Sequence, residues 1–557
     1  MTVRQFNDHS DGDKYQNYSG PRMDLPSNFL TFLSDLKCAV SKSQFVALNE
    51  NLENLWNLSP QEQAIDNQRQ VEEDVAAVDK NTLIAVTQHL ISTLCGILKD
   101  GTAFGHQSQD SITTTSQPID VLNAWNQHHE SLCLDDTEEP FLWFTEIIRA
   151  SKNWVRWILQ IYPMIAPSNS VSYQATQPFQ SNEMLEFYML LMDGYISLKF
   201  VNAKTGENLA RHACQLLFYA VYSQSPRTDD KAQLRFQHLR ELDFFDRILT
   251  MLGQAQTTAF GFALVQLIHN VMYSFTDASK AWTESNIFLT ATACSKCPWL
   301  SQKSSEHYTF PIMLEYMLIW CLSSQPPLPN NFEDRRVNIV VEVLRTFYAM
   351  RAGSKLTVDS ALANILVQLL HLDSQKKQCM DCQIAAVPIL MDANPSLGDF
   401  LVSRESVAPL MHILDSQMTL VLRSNEMDNA GAAKLTPILA VLFRFSQANL
   451  KFRQLVKASI FPRDRETTFQ AMVKEAEKGI GSTKNMTPMD APSGTLRAGL
   501  IRLLSWPQSH IKRFVGELLW ILCANDSKEF SYRVGMGNAL PFLGLKGIVE
   551  LPPTIHS

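Results

Sequence analysis

Two C-x-x-C pairs, Cys294–Cys297 and Cys379–Cys382, come nearest to a chemical motif in this chain. A structural zinc site takes four ligands in a tetrahedron, so both pairs would have to meet in space. They lie far apart in the sequence. On a helix, thiols at i and i+3 simply share one face, so buried structural thiols are the expectation, with no metal and no other cofactor. Gly479-Ile480-Gly481-Ser482-Thr483-Lys484 superficially resembles a phosphate loop. It lacks the G-x-x-x-x-G-K-[ST] spacing that wraps backbone amides around a phosphate, and it follows a helical stretch rather than a strand. H-E-x-x-H and G-x-S-x-G are also missing. His128-His129-Glu130 has no second motif to complete a site and reads as a solvated face. A non-catalytic protein is expected, and any nucleotide chemistry it touches belongs to a partner.

The cations are the other candidates. Lys451, Arg453, Lys457, Arg463 and Arg465 fall within fifteen residues, and Lys512 and Arg513 open a later helix. They stand out because the chain as a whole is acidic, with 48 basic against 56 acidic residues and a net charge of −8. An acidic chain is a poor nucleic-acid binder, so none is expected as partner. The cations form either a solvated helix face or a docking surface for a carboxylate-bearing protein.

The elements that must position these residues are helical. Apolar residues recur at three- and four-residue steps over Asn81–Leu98, Phe141–Met164, Glu183–Val201, Asn208–Tyr222, Leu242–Leu252 and Ala259–Phe275. The same period returns over Arg336–Met350, Ser360–Leu372, Ala432–Phe445 and His510–Cys523. No run of alternating strands and no βαβ rhythm appears. Gly is only 21 of 557 residues, which argues against a fold built on tight turns. Many helices joined by variable loops point to an all-α, armadillo/HEAT-like α-solenoid superhelix, with an irregular helix bundle as the alternative. The expected layout is a disordered segment over 1–26, a superhelix over 27–547 and a short tail over 548–557. Polar insertions are expected near 101–118, 166–182, 323–331 and 479–494. No window of about 20 apolar residues marks a membrane span, and the polar start lacks the apolar core of a signal peptide.

The last part of the chain resembles a known family. Asp428 to Pro462 carries the Leu435-x-Pro437 helix and a basic helix ending at Pro462; Thr495 to Trp506 reads T-L-R-A-G-L-I-R-L-L-S-W. Ile511 to Cys523 contains E-L-L-x-x-L-C, and Phe530 to Gly547 contains G-x-G-N-A. This order is similar to the synembryn family, cytosolic exchange factors and folding chaperones of heterotrimeric G-protein α subunits. Ala263 to Ser274 looks like that family's Asn-containing apolar helix. Two features depart from it. The turn Val534-Gly-Met-Gly-Asn538 lacks an aromatic residue before its second Gly. The sequence also ends ten residues after Gly547, where members continue into an acidic, phosphorylatable segment and a helical tail. That weights the expectation toward groove binding over full exchange activity.

The resemblance implies an armadillo/HEAT-like superhelix that takes the C-terminal helix of a nucleotide-free α subunit into its groove. It implies a cytoplasmic monomer that can be recruited to the inner face of the plasma membrane. Asn and basic side chains in such a groove bond peptide carbonyls or a terminal carboxylate. The partner-binding candidates are then Asn270, Arg444, Arg453, Lys457, Arg463, Arg465, Lys512 and Arg513. Ile511–Cys523 should be a helix with Phe514, Leu518, Leu519, Ile521 and Leu522 buried, Lys512, Arg513 and Glu517 nearer water, and Asp526 and Ser527 capping the next helix. Gly535, Gly537 and Asn538 should form a structural turn, closed by Leu540, Phe542, Leu543 and Leu545. The rival readings are a generic armadillo scaffold for other partners and an all-α enzyme whose titratable groups converge only in three dimensions.

Overall fold

The computed structural model describes residues 139–160, 177–196, 203–221 and 230–549, apart from 276, 302, 304, 329–334, 352–357, 392, 424–428, 462–494 and 507–508. The expected helix over Asn81–Leu98, the segments 1–26, 101–118 and 479–494, and the motifs at His128 and Gly479 lie outside them. So do Arg463 and Arg465.

The described chain is helical almost throughout. In order it runs α1 (Glu139–Gln160), α2 (Asn182–Ile196), α3 (Ala203–Val221), α4 (Asp230–Glu241), α5 (Phe244–Gln254), α6 (Thr258–Ser274) and α7 (Ala278–Glu284). Then come β1 (Asn286–Leu289), α8 (Ala291–Lys296), β2 (Glu306–Thr309), α9 (Phe310–Ser323) and α10 (Arg336–Arg351). The remainder is α11 (Ser360–Leu370), α12 (Lys377–Leu390), α13 (Leu397–Ser403), α14 (Val407–Arg423), α15 (Asn429–Ala448) and α16 (Leu450–Ile460). It ends with α17 (Leu496–Leu504), α18 (Ser509–Leu522), α19 (Ser527–Val534) and α20 (Met536–Leu545).

Side chains before the helices explain several of these starts. Thr257, Asp359, Asn449, Thr495 and Asp526 each accept a bond from a backbone N–H in the first turn that follows. Each satisfies a donor that the helix itself leaves orphaned. One feature departs from the periodicity: β1 and β2 pair antiparallel, with Ile287 opposite Tyr308. Four-residue strands are too short to register as alternation in sequence. Tyr308, which is buried, ties the ribbon to α8, where the Cys294 thiol donates to its hydroxyl at 3.7 Å.

The chain divides into two compact units, one of Met1–Trp320 with Asn331–Ser354 and the other of Cys321–Asn330 with Lys355–Ser557. In the first, α3 packs on α1, α2 and α6, and α6 packs in turn on α10. Its core includes a ring cluster in which Trp282 sits 4.9 Å from Phe245 and 5.1 Å from Phe310. In the second, α15 packs on α12, α14, α16 and α18, while α17 packs on α14 and α18. There Phe530 lies 5.5 Å from Trp520 and 5.3 Å from Phe542. Each helix covering its sequence neighbours and handing on to the next is the packing of an all-α solenoid. No helix among the described residues is long and apolar enough to cross a membrane.

Candidate partner-binding faces

Of the two C-x-x-C pairs, Cys294 and Cys297 belong to the first unit, and Cys379 and Cys382 to the second. All four are buried. The Cys297 thiol donates to the Leu252 carbonyl at 3.8 Å. Burial pushes the Cys297 and Cys382 thiols well above the ordinary thiol range, so they remain protonated. Among the described residues no group of three or more His, Cys, Asp or Glu is placed to hold a metal ion.

Of the five described cations expected to meet a partner, three are occupied within the chain. Arg444, on α15, donates to the carbonyls of Met391 and Ala393. It thereby serves carbonyls that lie just past the end of α12. Arg453 donates through Nε to Ser446 O at 2.7 Å and through Nη2 to Gln447 O at 3.2 Å. These are carbonyls of the last turn of α15, which no later turn of that helix can serve. Lys457 Nζ pairs with Glu529 Oε1 at 3.0 Å. Glu529 also receives Arg533 Nε at 2.7 Å. The Arg533 guanidinium lies 4.4 Å from the centroid of the Phe461 ring. Arg453 and Lys457 are therefore structural cations, because the carbonyls and carboxylate they serve lie within reach on their own unit.

Asn270 is likewise inward. It is 6% exposed, and its Nδ2 donates to Phe218 O at 2.8 Å, fastening α6 to α3. Lys512 and Arg513 are the exceptions: both are exposed near the start of α18, where Leu518, Leu519, Ile521 and Leu522 are buried and Phe514 is half-buried. Glu517 is not simply solvated; it pairs with Lys546 at 2.8 Å.

The expected turn is corrected in part. Gly535 ends α19 and begins α20 at φ 87° and ψ 138°, a region glycine enters without penalty. Asn538 Nδ2 donates to Val534 O at 2.9 Å, closing the last turn of α19. Gly537, however, is the second residue of α20 and is not among the positive-φ glycines. It has open space around it. One glycine suffices for the reversal because the chain re-enters helix at Met536. Leu545 is also corrected: it ends α20 at 84% exposure, while Phe542 and Leu543 are buried.

Sequence reasoning misses a face on α6 and α10. His269 Nδ1 lies 2.5 Å from Glu342 Oε1, and Arg345 Nη1 lies 3.4 Å from Glu342 Oε2. The Glu342 side chain is only 4% exposed, so both neighbours are held by a buried carboxylate. Tyr273, one turn after His269, and Tyr348, one turn after Arg345, are 41% and 47% exposed. A signal does exist in the spacing: 269 and 273 are one turn apart on α6, and 345 and 348 one turn apart on α10. A half-exposed ring on each helix, with the Arg345 guanidinium held by Glu342, suits an apolar, carboxylate-bearing peptide.

A family model described as guanine nucleotide exchange factor synembryn matches residues 254–555. The chain is 21% identical over 266 residues to "Chaperone Ric-8" of Drosophila pseudoobscura pseudoobscura, a match covering 45% of this chain and 44% of that protein. It is 22% identical over 169 residues to "Chaperone Ric-8A" of Bos taurus, covering 30% of this chain and 27% of that one. The chain thus spans less than half the length of either relative. Among solved structures, an engineered protein gives a TM-score of 0.32 at 10% identity, covering 88% of this chain and 98% of its own. A chain from a study of a phosphorylation switch in cadherin and β-catenin gives 0.35 at 12% identity, covering 94% and 96%.

Proposed function

Because the chain belongs to the synembryn family of guanine nucleotide exchange factors, we propose that it acts on G-protein α subunits as exchange factor and folding chaperone. The observation that carries this reading is the extent of the family match, which runs from the end of α5 through α20. It includes the α6–α10 face and the α15–α18 packing. The naming of both relatives as chaperones supports the second half of the role.

In this reading the occupant of the α6–α10 face is the α subunit's C-terminal helix. Its apolar anchors lie on Tyr273 and Tyr348, and its terminal carboxylate meets Arg345. The chain breaks no bond itself. It binds the nucleotide-free α subunit more tightly than the loaded one, and linkage then requires that it weaken nucleotide binding by the same factor. Holding the helix away from the α subunit's core supplies that differential affinity, because the loosened form is the one that exposes the helix. The same preference explains a chaperone: an α subunit without nucleotide presents apolar surface that needs cover.

The test is retention of purified α subunits on the immobilised full chain, nucleotide-free against GTP-loaded, with GDP release followed in parallel. Preferential retention of the nucleotide-free form and faster GDP release are expected. Equal retention of both forms, or of neither, returns the chain to a scaffold for other partners.

A further inference from the structure

Charge is distributed unevenly in the second unit. Residues 429–463 and 491–516 contain no Asp or Glu, although the chain overall has more acidic than basic residues. These stretches supply α15, α16, α17 and the opening turns of α18. Arg444, Arg453, Lys457 and Arg497 within them are taken up by backbone carbonyls or by Glu529. Besides the exposed Lys451 on α16, four titratable side chains there are not. Arg502 lies in the last turn of α17, and His510, Lys512 and Arg513 lie in the opening turns of α18. All four are exposed, and none has a hydrogen-bond or ion-pair partner among the described residues.

Because α17 and α18 pack on each other and are joined through 505–508, the end of one and the start of the other share a corner. Two of the carboxylates nearby are spoken for. Glu517 on α18 pairs with Lys546, and Glu529 on α19 is shared by Lys457 and Arg533. Of the other helices packed on this hairpin, α15 and α16 carry no carboxylate and α14 carries one, Asp415.

We propose that the α17–α18 corner, formed by Arg502, His510, Lys512 and Arg513, is a docking surface for an acidic segment of a partner protein. A carboxylate-rich chain meets three exposed cations there that pair with nothing among the described residues, and guanidiniums at Arg502 and Arg513 bind carboxylates bidentately. A membrane surface fits less well. Polybasic sites that hold a bilayer firmly combine charge with an apolar anchor. Among the described residues between 456 and 535 no large apolar side chain is strongly exposed, and Trp506 at the corner is fully buried. The inference is independent of the α-subunit reading, since it needs only an acidic ligand.

The experiment uses the full chain and a labelled twelve-residue peptide of alternating Glu and Ser, with a Gln-for-Glu peptide as its control. Anisotropy titrations are run at about 50 and about 300 mM salt, where screening differs sharply. The wild type should bind the Glu peptide at low salt, lose it at high salt and ignore the Gln peptide. Arg502→Glu/Lys512→Glu/Arg513→Glu should weaken binding at least about tenfold. The milder Lys512→Gln/Arg513→Gln should weaken it less, and thermal melting reports whether either variant is folded. Lys451→Glu, at an exposed cation on α16 rather than on either helix of the corner, should leave binding unchanged. No binding at low salt, equal binding by the wild type and the corner variants, or an equal loss with Lys451→Glu overturns the proposal. So does corner-dependent pelleting with phosphatidylserine vesicles in place of peptide binding, which assigns the surface to a membrane.

Discussion

Lys457 Nζ on α16 lies 3.0 Å from Glu529 Oε1 on α19, a bond that spans 72 residues of sequence. Both side chains are less than one-third exposed, and Arg533 completes the group from the turn after Glu529. A cation that looks available in sequence is here part of what holds α19 in place. Lys457→Ala should therefore lower stability by about 1–2 kcal/mol, between the values for exposed and buried pairs. Glu529 keeps Arg533, which limits the loss. A denaturant melt measures it, and acidic-peptide binding should not change. Unaltered stability with weakened binding would reverse the assignment.

Gly535 and Gly537 look equivalent in sequence and should behave oppositely. At φ 87° a side chain is strained at position 535, so Gly535→Ala should cost about 1–3 kcal/mol. Gly537 is in helix, and a Cβ added there would meet nothing within 4 Å. Gly537→Ala should be neutral or gain about 0.5 kcal/mol. Chemical denaturation of the two variants side by side settles the contrast; similar losses would place the reversal at both glycines.

Asn270→Ala should be destabilising by about 1–3 kcal/mol, because it strips a partly buried carbonyl, Phe218 O, of its side-chain donor. Asn270→Asp should be at least as costly, since a carboxylate cannot donate to that oxygen. If Asn270→Ala melts normally but releases an α subunit, the residue faces the partner after all.

Helix identity is legible from the chain because a long apolar stripe at a 3.6-residue period has few alternatives. Ala259–Phe275 differs from α6 by one residue at each end, and Arg336–Met350 from α10 by one residue at its C-terminal end. The cations are not legible in the same way. Arg444, Arg453 and Lys457 are as polar in sequence as Lys512 and Arg513. What separates them is whether a carbonyl or carboxylate from a distant turn arrives within about 3 Å, which only packing decides. Glu342 hides for the same reason: nothing in R-V-N-I-V-V-E-V-L-R marks its carboxylate as buried against His269, 73 residues away. Gly537 misleads because the motif repeats the residue while the backbone uses only the first copy.

His212 supplies a prediction in pH. It is 7% exposed on α3, and burial, followed by the charges of Lys152 and Arg211, holds its pKa well below the usual 6.5. The folded protein therefore keeps this imidazole neutral where the unfolded chain protonates it. Above pH 6.5 neither state binds the proton, and the site has no pH-dependent effect on stability. As pH falls below 6.5 the unfolded state takes up the proton first, so stability is lost through that window. The chain has 13 His, so the total slope is not diagnostic. The difference between wild type and His212→Gln is, because Gln fills similar space without titrating. Urea melts at about pH 7.5 and about pH 5.5 should show the wild type losing more stability than His212→Gln on acidification, by up to about 1.4 kcal/mol for each pH unit below the unfolded-state pKa. Parallel losses in the two proteins would mean that His212 accepts its proton in the folded state, and that Lys152 and Arg211 do not exclude the charge.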